Sequence, residues 1–158
     1  MKAKEKTNVM RVLDAKKIAY ESFSYEADPN LRGEEIAAIL KEDLNHVFKT
    51  LVTMGKSKEY YVFVIPVHKE LDLKKAAKVT GEKSISMIKQ KELLSLTGYV
   101  HGGCSPIGMK KTFKTFINSS VNDIEEIYVS AGRVGMQIKL ASKDLIDIAG
   151  CNVADVVE

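Results

Sequence analysis

Apolar positions along this chain follow two spacings, one helical and one strand-like, and the changes between them mark out the elements. Thr7 precedes Val9, Val12 and Leu13 at i, i+3, i+4, which predicts a short amphipathic helix with a threonine N-cap, ending near Lys16 and Lys17. The period then drops to two. Residues 18–25 read as a strand with Phe23 and Tyr25 on one face and Tyr20 on the other, stopped by Asp28-Pro29-Asn30. Helical spacing returns over 34–41 through Ile36, Ala37, Ile39 and Leu40. Two β-branched, apolar runs, 46–54 and 60–67, flank Gly55-Lys56-Ser57-Lys58 and predict a hairpin. In its first arm Val47, Lys49 and Leu51 share one face, and Phe48, Thr50 and Val52 the other.

Asp72 caps a predicted helix through Val79 that Gly81 closes. A short strand near 84–87 and a helix over 90–96 follow, then a stretch, 112–119, that is open between strand and irregular chain. Residues 126–131 and 136–141 form a second hairpin, and a last helix is capped by Ser142 and ended by Gly150. Hairpins alternating with isolated helices predict one α/β domain over 1–158 with a mixed sheet.

Between these elements lies a stretch of different character, residues 98–111, carrying Gly98, Gly102, Gly103 and Gly108 around Pro106. Glycine admits positive φ and close approach to the main chain, while proline stiffens it, so this is a shaped loop. The amides of Gly102, Gly103, Cys104 and Ser105 are expected to be free to face an anion or a developing oxyanion. Lys110, Lys111 and Lys114 add positive charge directly after it. Gly103 and Gly108 have the spacing of a nucleotide P-loop, but Met109 stands where its lysine belongs. A glycine-rich turn that only reverses the chain is the plainer alternative.

Composition narrows the chemistry. A chain of 158 residues, 45% hydrophobic and 28% charged, is an ordinary globular one, and its net charge of +3 permits contact with a phosphate backbone without requiring it. No apolar run has the length needed to cross a membrane, and the basic start has no apolar core of a signal peptide behind it. Cys104 and Cys151 read as free thiols in a reducing cytoplasm. His46, His68 and His101 have no metal-ligand spacing with each other or with cysteine, so no metal site is expected. No G-x-S-x-G elbow marks a serine hydrolase. Cys104 could be a nucleophile among amides and lysines, but a small space-filling residue is the expected role. Lys49, flanked by apolar residues on its own face, is open between an edge-strand lysine reaching water and a functional cation.

Several motifs together decide more than any one of them. Val47-Phe48-Lys49-Thr50-Leu51-Val52, then Thr97-Gly98-Tyr99 and Gly102-Gly103-Cys104-Ser105-Pro106-Ile107-Gly108, resemble the YbaK/EbsC family of aminoacyl-tRNA deacylases. Lys74-Lys75-Ala76-Ala77, Ile117-Asn118-Ser119-Ser120 and residues 127–132 match in the same order, so the likeness runs from about Thr7 to Val157. It is strongest to the branch acting on cysteinyl-tRNA(Pro). The resemblance implies a compact α/β fold with a barrel-like mixed sheet, no cofactor, and hydrolysis in trans of mischarged Cys-tRNA(Pro). Ala-tRNA(Pro) is the alternative substrate, the tRNA(Pro) acceptor end the partner, and prolyl-tRNA synthetase a candidate second partner.

The resemblance also implies roles. Lys49 corresponds to the family's essential lysine and Gly102 to the glycine whose amide faces the scissile carbonyl. Tyr25, Thr50, Gly103, Ser105 and Ser130 fall to the substrate pocket, and Lys110, Lys111 and Lys114 are candidate tRNA contacts. It further implies that the substrate's own thiol attacks its carbonyl, so that the protein orients and stabilises without supplying a nucleophile. A non-catalytic module that binds a nucleotide or tRNA end would use the same loop and lysines.

Overall fold

A computed structural model of the chain describes residues 6–158; Met1 to Glu5, part of the start expected not to be a signal peptide, lie outside the described residues. Helix α1 (Asn8–Ala15) begins as the pattern predicts, the Thr7 hydroxyl accepting from the Met10 amide at 3.2 Å. Its apolar stripe, Val9, Met10 and Leu13, is buried. Strand β1 (Tyr20–Ser24) follows, then α2 (Gly33–Leu40). The predicted hairpin is β2 (Phe48–Gly55) with β3 (Tyr60–Pro66), its first residues preceded by a 3-10 turn over Leu44–His46. Helix α3 (Leu73–Thr80) is capped by Asp72, whose carboxylate accepts from the Lys74 and Lys75 amides, and closed by Gly81 at φ 76°.

The remaining elements are β4 (Ile85–Met87), α4 (Leu93–Thr97), β5 (Lys114–Asn118), β6 (Glu126–Ser130), β7 (Met136–Ala141), α5 (Ser142–Ala149) and β8 (Cys151–Ala154). One point left open by the sequence is resolved and two are corrected. The ambiguous 112–119 stretch contains β5, a parallel strand between β3 and β8 with Thr115 to Asn118 all buried, so it shows no alternation to read. Strand β8 was not predicted: it has four residues, includes the exposed Asn152, and owes its geometry to pairing with β5. Ser142 does not cap α5; Ala141 occupies the cap position, and the Ser142 hydroxyl is buried without a partner among the described residues.

The mixed α/β fold is as expected, but the sheet does not close into one barrel. A five-stranded sheet, order β4-β2-β3-β5-β8, faces a three-stranded antiparallel sheet, order β1-β7-β6. The main core lies between them: Phe48, Val52, Val62, Val64 and Ile117 from the larger sheet meet Ile127, Val129, Ile138 and Leu140 from the smaller, with Leu13 of α1 and Leu145 of α5 closing the ends. The other face of the larger sheet packs Phe63, Ile65 and Phe116 against Ala76 of α3, the two phenylalanine rings stacked at 5.5 Å. Each fully buried side chain of this size contributes about 1.5–3 kcal/mol by leaving water.

Besides the main core, one parallel backbone bridge among the described residues, Val47 to Tyr128, links the two sheets. Around it Val47, Val67 and Tyr128 pack on Ala37 of α2, so the helix lies over the joint. Glu42 braces the same place, one oxygen accepting from the Tyr128 hydroxyl at 3.0 Å and the other 3.2 Å from His46 Nδ1. Removing that carboxylate leaves a buried phenol without its acceptor, which costs about 1–3 kcal/mol. Glu42→Ala is therefore expected to lower unfolding free energy by about 1–2 kcal/mol in urea titrations, and by clearly less in a Tyr128→Phe background. Equal losses in both backgrounds would show that the brace is not the source.

Candidate functional site

Strand β2 is paired by β3 along its length, but β4 covers its other edge only at Thr53–Gly55. Between that cover and the Val47–Tyr128 bridge, the edge has no strand beside it. Consecutive residues Phe48, Lys49, Thr50 and Leu51 accordingly all line one cavity of about 500 Å³, although their side chains alternate between faces. The roof is the chain entering α2, Asn30 to Glu34 and Ile36. The floor is Ser130 of β6 and Gln137 of β7, which stand opposite each other in register. Gly102, Cys104 and His101 from the glycine loop, Leu93 of α4, and His68 and Glu70 after β3 complete the wall. The volume falls within the range of sites that enclose a small ligand.

The glycine loop is rigid for reasons visible in its bonds. Lys110 N donates to Thr97 O at 2.8 Å, closing the loop at its base, and the Tyr99 hydroxyl donates to Ile107 O across its middle. Asn8 Nδ2 of α1 donates to Gly108 O at 3.0 Å and ties the loop to the first helix. Gly102 sits at φ 86°, a left-handed conformation that a side chain would strain. Gly103 allows close packing: a Cβ there would lie 2.9 Å from Val134 N and 3.0 Å from Arg133 C, both backbone atoms of the β6–β7 turn. The loop is thus clamped onto the smaller sheet with Gly102 exposed on the cavity side, and among the described residues the Gly102 amide has no hydrogen-bond partner.

The cavity gathers unpaired polar groups. Thr50 Oγ1, His68 Nδ1 and Gln137 Oε1 are buried and have no partner among the described residues, and all three residues line it. Each buried polar atom left unpaired costs about 1–3 kcal/mol, so three of them on residues lining one hollow mark it out from the rest of the interior. Lys49 is half-buried there and makes no ion pair among the described residues. No cluster of three or more His, Cys, Asp or Glu side chains among the described residues could hold a metal ion.

The pattern of the aminoacyl-tRNA editing domain family matches residues 31–148, a span that runs from the cavity roof to α5. The chain belongs to that family. Over 156 residues, 98% of this chain and 95% of the relative, it is 40% identical to "Putative Cys-tRNA(Pro)/Cys-tRNA(Cys) deacylase EbsC" of Enterococcus faecalis (strain ATCC 700802 / V583). The fold matches a crystal structure titled as that of a putative trans-editing enzyme for prolyl tRNA synthetase, with TM-score 0.83, 21% identity, and 96% of this chain and 95% of that one covered. It also matches a hypothetical protein's crystal structure with TM-score 0.87, 22% identity, and 96% and 100% covered. The YbaK/EbsC resemblance read from the motifs holds over nearly the whole chain.

Within this editing domain, Lys49 and Thr50 of β2, Gly102 of the glycine loop and Ser130 of β6 all line the cavity. Other expected site residues lie elsewhere. Tyr25 is not on the wall; its hydroxyl stands behind Gln137 and accepts from Gln137 Nε2 at 3.3 Å, and burial raises its pKa. Gly103 is buried and its amide donates to Val100 O at 3.0 Å, so it is not among the free amides. Ser105 is fully buried, its hydroxyl accepting from Ile107 N at 3.3 Å inside the loop. Lys110, Lys111 and Lys114 are exposed but off this wall: Lys111 borders a smaller hollow of about 180 Å³ beside Phe113, and Lys114 Nζ lies 6.0 Å over the Phe116 ring. Among the other lysines, Lys75 is engaged with Asp155 at 3.0 Å and Val157 O at 2.8 Å.

Motif reading passed over Gln137 and His68. By alternation Gln137 shares the outer face of β7 with Lys139, a polar face that reads as solvated, and only the coverage by the chain before α2 makes it a floor.

Cys104 lines the cavity, yet burial pushes its thiol up to about 12, with Thr97 only partly opposing the shift. Cys151 is likewise pushed up to about 12 by burial. At neutral pH both are therefore thiols, not thiolates, which fits a packing role. Iodoacetamide at pH 8 is expected to alkylate the native protein about a thousandfold more slowly than an ordinary thiol, and at the ordinary rate in denaturant. Mass spectrometry showing Cys104 modified at the free-thiol rate in the native state would contradict the protonated thiol.

Proposed function

We propose that this editing domain hydrolyses mischarged Cys-tRNA(Pro) in trans, with the aminoacylated 3′ end of the tRNA in the cavity at the open edge of β2. The observation that carries this reading is the meeting of Lys49 and Gly102 on one cavity wall, beside three buried polar atoms without partners. The 40% identical relative, whose name couples the cysteine ester to both tRNA(Pro) and tRNA(Cys), supports cysteine as the amino acid recognised. An enzyme of this kind answers a physical limit: cysteine and proline are close in size, and an apolar pocket separates such analogues by only ~1–3 kcal/mol.

In the proposed reaction the substrate's thiol sulfur bonds to its own carbonyl carbon, and the bond from that carbon to the ribose oxygen breaks. The thiol proton passes to the departing tRNA 3′ oxygen. The products are uncharged tRNA and a cyclic thioester, which water then opens to cysteine. A nucleophile built into the substrate has an effective molarity of about 10⁵–10⁸ M, so no residue of the protein need attack. The Gly102 amide donates to the carbonyl oxygen as it gains negative charge, and the Lys49 ammonium stabilises that charge or an adjacent anionic group of the terminal nucleotide. Thr50 and Ser130 hold the aminoacyl end. Prolyl-tRNA synthetase, which releases the tRNA, is the proposed partner upstream.

Hydrolysis of Cys-tRNA(Pro), Ala-tRNA(Pro) and Ser-tRNA(Pro) by wild type and Lys49→Ala tests this. The cysteine ester is expected to disappear at least tenfold faster than the other two, and Lys49→Ala to lose about a hundredfold or more in rate. Equal rates for the cysteine and serine esters would overturn self-attack by the thiol, faster loss of the alanine ester would reassign the substrate, and stoichiometric binding without cleavage would make the protein a binding module. Unchanged activity in Lys49→Ala would remove that residue from the mechanism.

A further inference from the structure

The cavity floor holds an acceptor that the reaction above leaves unused. Gln137 is 5% exposed and stands across from Ser130 in the β6–β7 register. One end of its carboxamide is fixed, Nε2 donating to the Tyr25 hydroxyl at 3.3 Å. The other end, Oε1, is buried in a cavity-lining residue and has no partner among the described residues. In the arrangement the structure holds, Nε2 is the end engaged by Tyr25 and Oε1 the end left for another donor; a hydroxyl pairs with either end, so Tyr25 fixes the place of the carboxamide and the ligand selects its acceptor end.

Position tells which donor it meets. The exposed rim carries Arg32, Glu34 and Glu70, while Gln137 is among the most enclosed residues of the wall. A tRNA must leave by the rim, which puts the ribose nearer solvent and the aminoacyl group inward. An aminoacyl group has one strong hydrogen-bond donor, its α-amine; a thiol is a weak one and the ester has none.

We propose that Gln137 Oε1 receives an N–H of the substrate's α-amine, with Tyr25 as the residue that positions it, and that this contact selects primary amines over a secondary amine such as that of proline. The inference rests on the deacylase reading and adds to it a reason why a correctly charged prolyl ester is spared. In proline a ring carbon replaces one amine hydrogen and restricts the direction of the rest. A carbonyl held in one place then meets carbon where it requires a donor, and the acceptor stays unpaired.

The test measures binding apart from turnover. The probes are two adenosine derivatives that carry cysteine or N-methylcysteine on the 3′ position through an amide, which the enzyme cannot cleave as an ester. Wild type is expected to bind the primary amine about tenfold more tightly than the N-methyl probe. Gln137→Met, close in shape and without an acceptor, should bring the two affinities to within about twofold, and Gln137→Glu should keep the preference. Tyr25→Phe, which leaves the wall untouched but frees the carboxamide, should give an intermediate ratio. Thermal unfolding of each variant reports whether it is folded.

Equal affinities in wild type, or a tenfold ratio persisting in Gln137→Met, overturns the proposal. Loss of the ratio in Gln137→Glu as well as Gln137→Met also overturns it, because the N–H end of the carboxamide would then be the end facing the ligand. Cleavage of Cys-tRNA(Pro) by wild type is assayed in parallel. Cleavage with equal affinities removes the amine site alone, whereas the tenfold ratio without cleavage removes the deacylase reading and leaves the amine site standing.

Discussion

The one backbone bridge between the two facing sheets among the described residues is the constraint from which the site follows. At Val47 and Tyr128 the strands touch, with Ala37 of α2 packed over the joint and Glu42 holding the Tyr128 hydroxyl. Beyond it β2 continues in the larger sheet and β6 in the smaller, and the edge of β2 stays open until β4 reaches Thr53. An unpaired strand edge exposes residues of both alternating faces, so Lys49 and Thr50, successive in sequence, reach the same cavity. A closed barrel would have removed that edge and with it the cavity.

The second requirement is a wall tied to the rest of the fold. The glycine loop meets it through bonds at its base and middle and through the backbone contact at Gly103, where no side chain fits. An amide donor stabilises a developing oxyanion only if it is already aimed. What the wall lacks is equally informative. The one thiol on it is held in its protonated form by burial, and no serine hydrolase elbow occurs in the chain. A protonated thiol is a poor nucleophile, which agrees with the packing role of Cys104.

Family membership and the geometry bear on different questions. The match over residues 31–148 and the 40% identical relative concern what class of ester is handled. The unpaired atoms of Thr50, His68 and Gln137 concern how a ligand is held, and no motif pointed to the last two. Both lie on stretches whose polarity, read along the chain, describes an ordinary solvated face.

Local pattern by itself determined the capped helices α1 and α3, both hairpins and the special character of residues 98–111, because capping, period and glycine content act between near neighbours. Lys49, Thr50, Gly102 and Ser130, all named from the motifs, line one cavity. Only the tertiary structure decided the rest. β5 lost its alternation because it is covered on both faces, and β8 is a strand because β5 lies beside it. Gly103 and Ser105 turned inward because their polar groups are used inside the loop, and the Tyr25 hydroxyl pairs with Gln137 and does not line the cavity. Spacing reports what a residue's own segment does; burial and pairing are set by what lands against it from elsewhere in the chain.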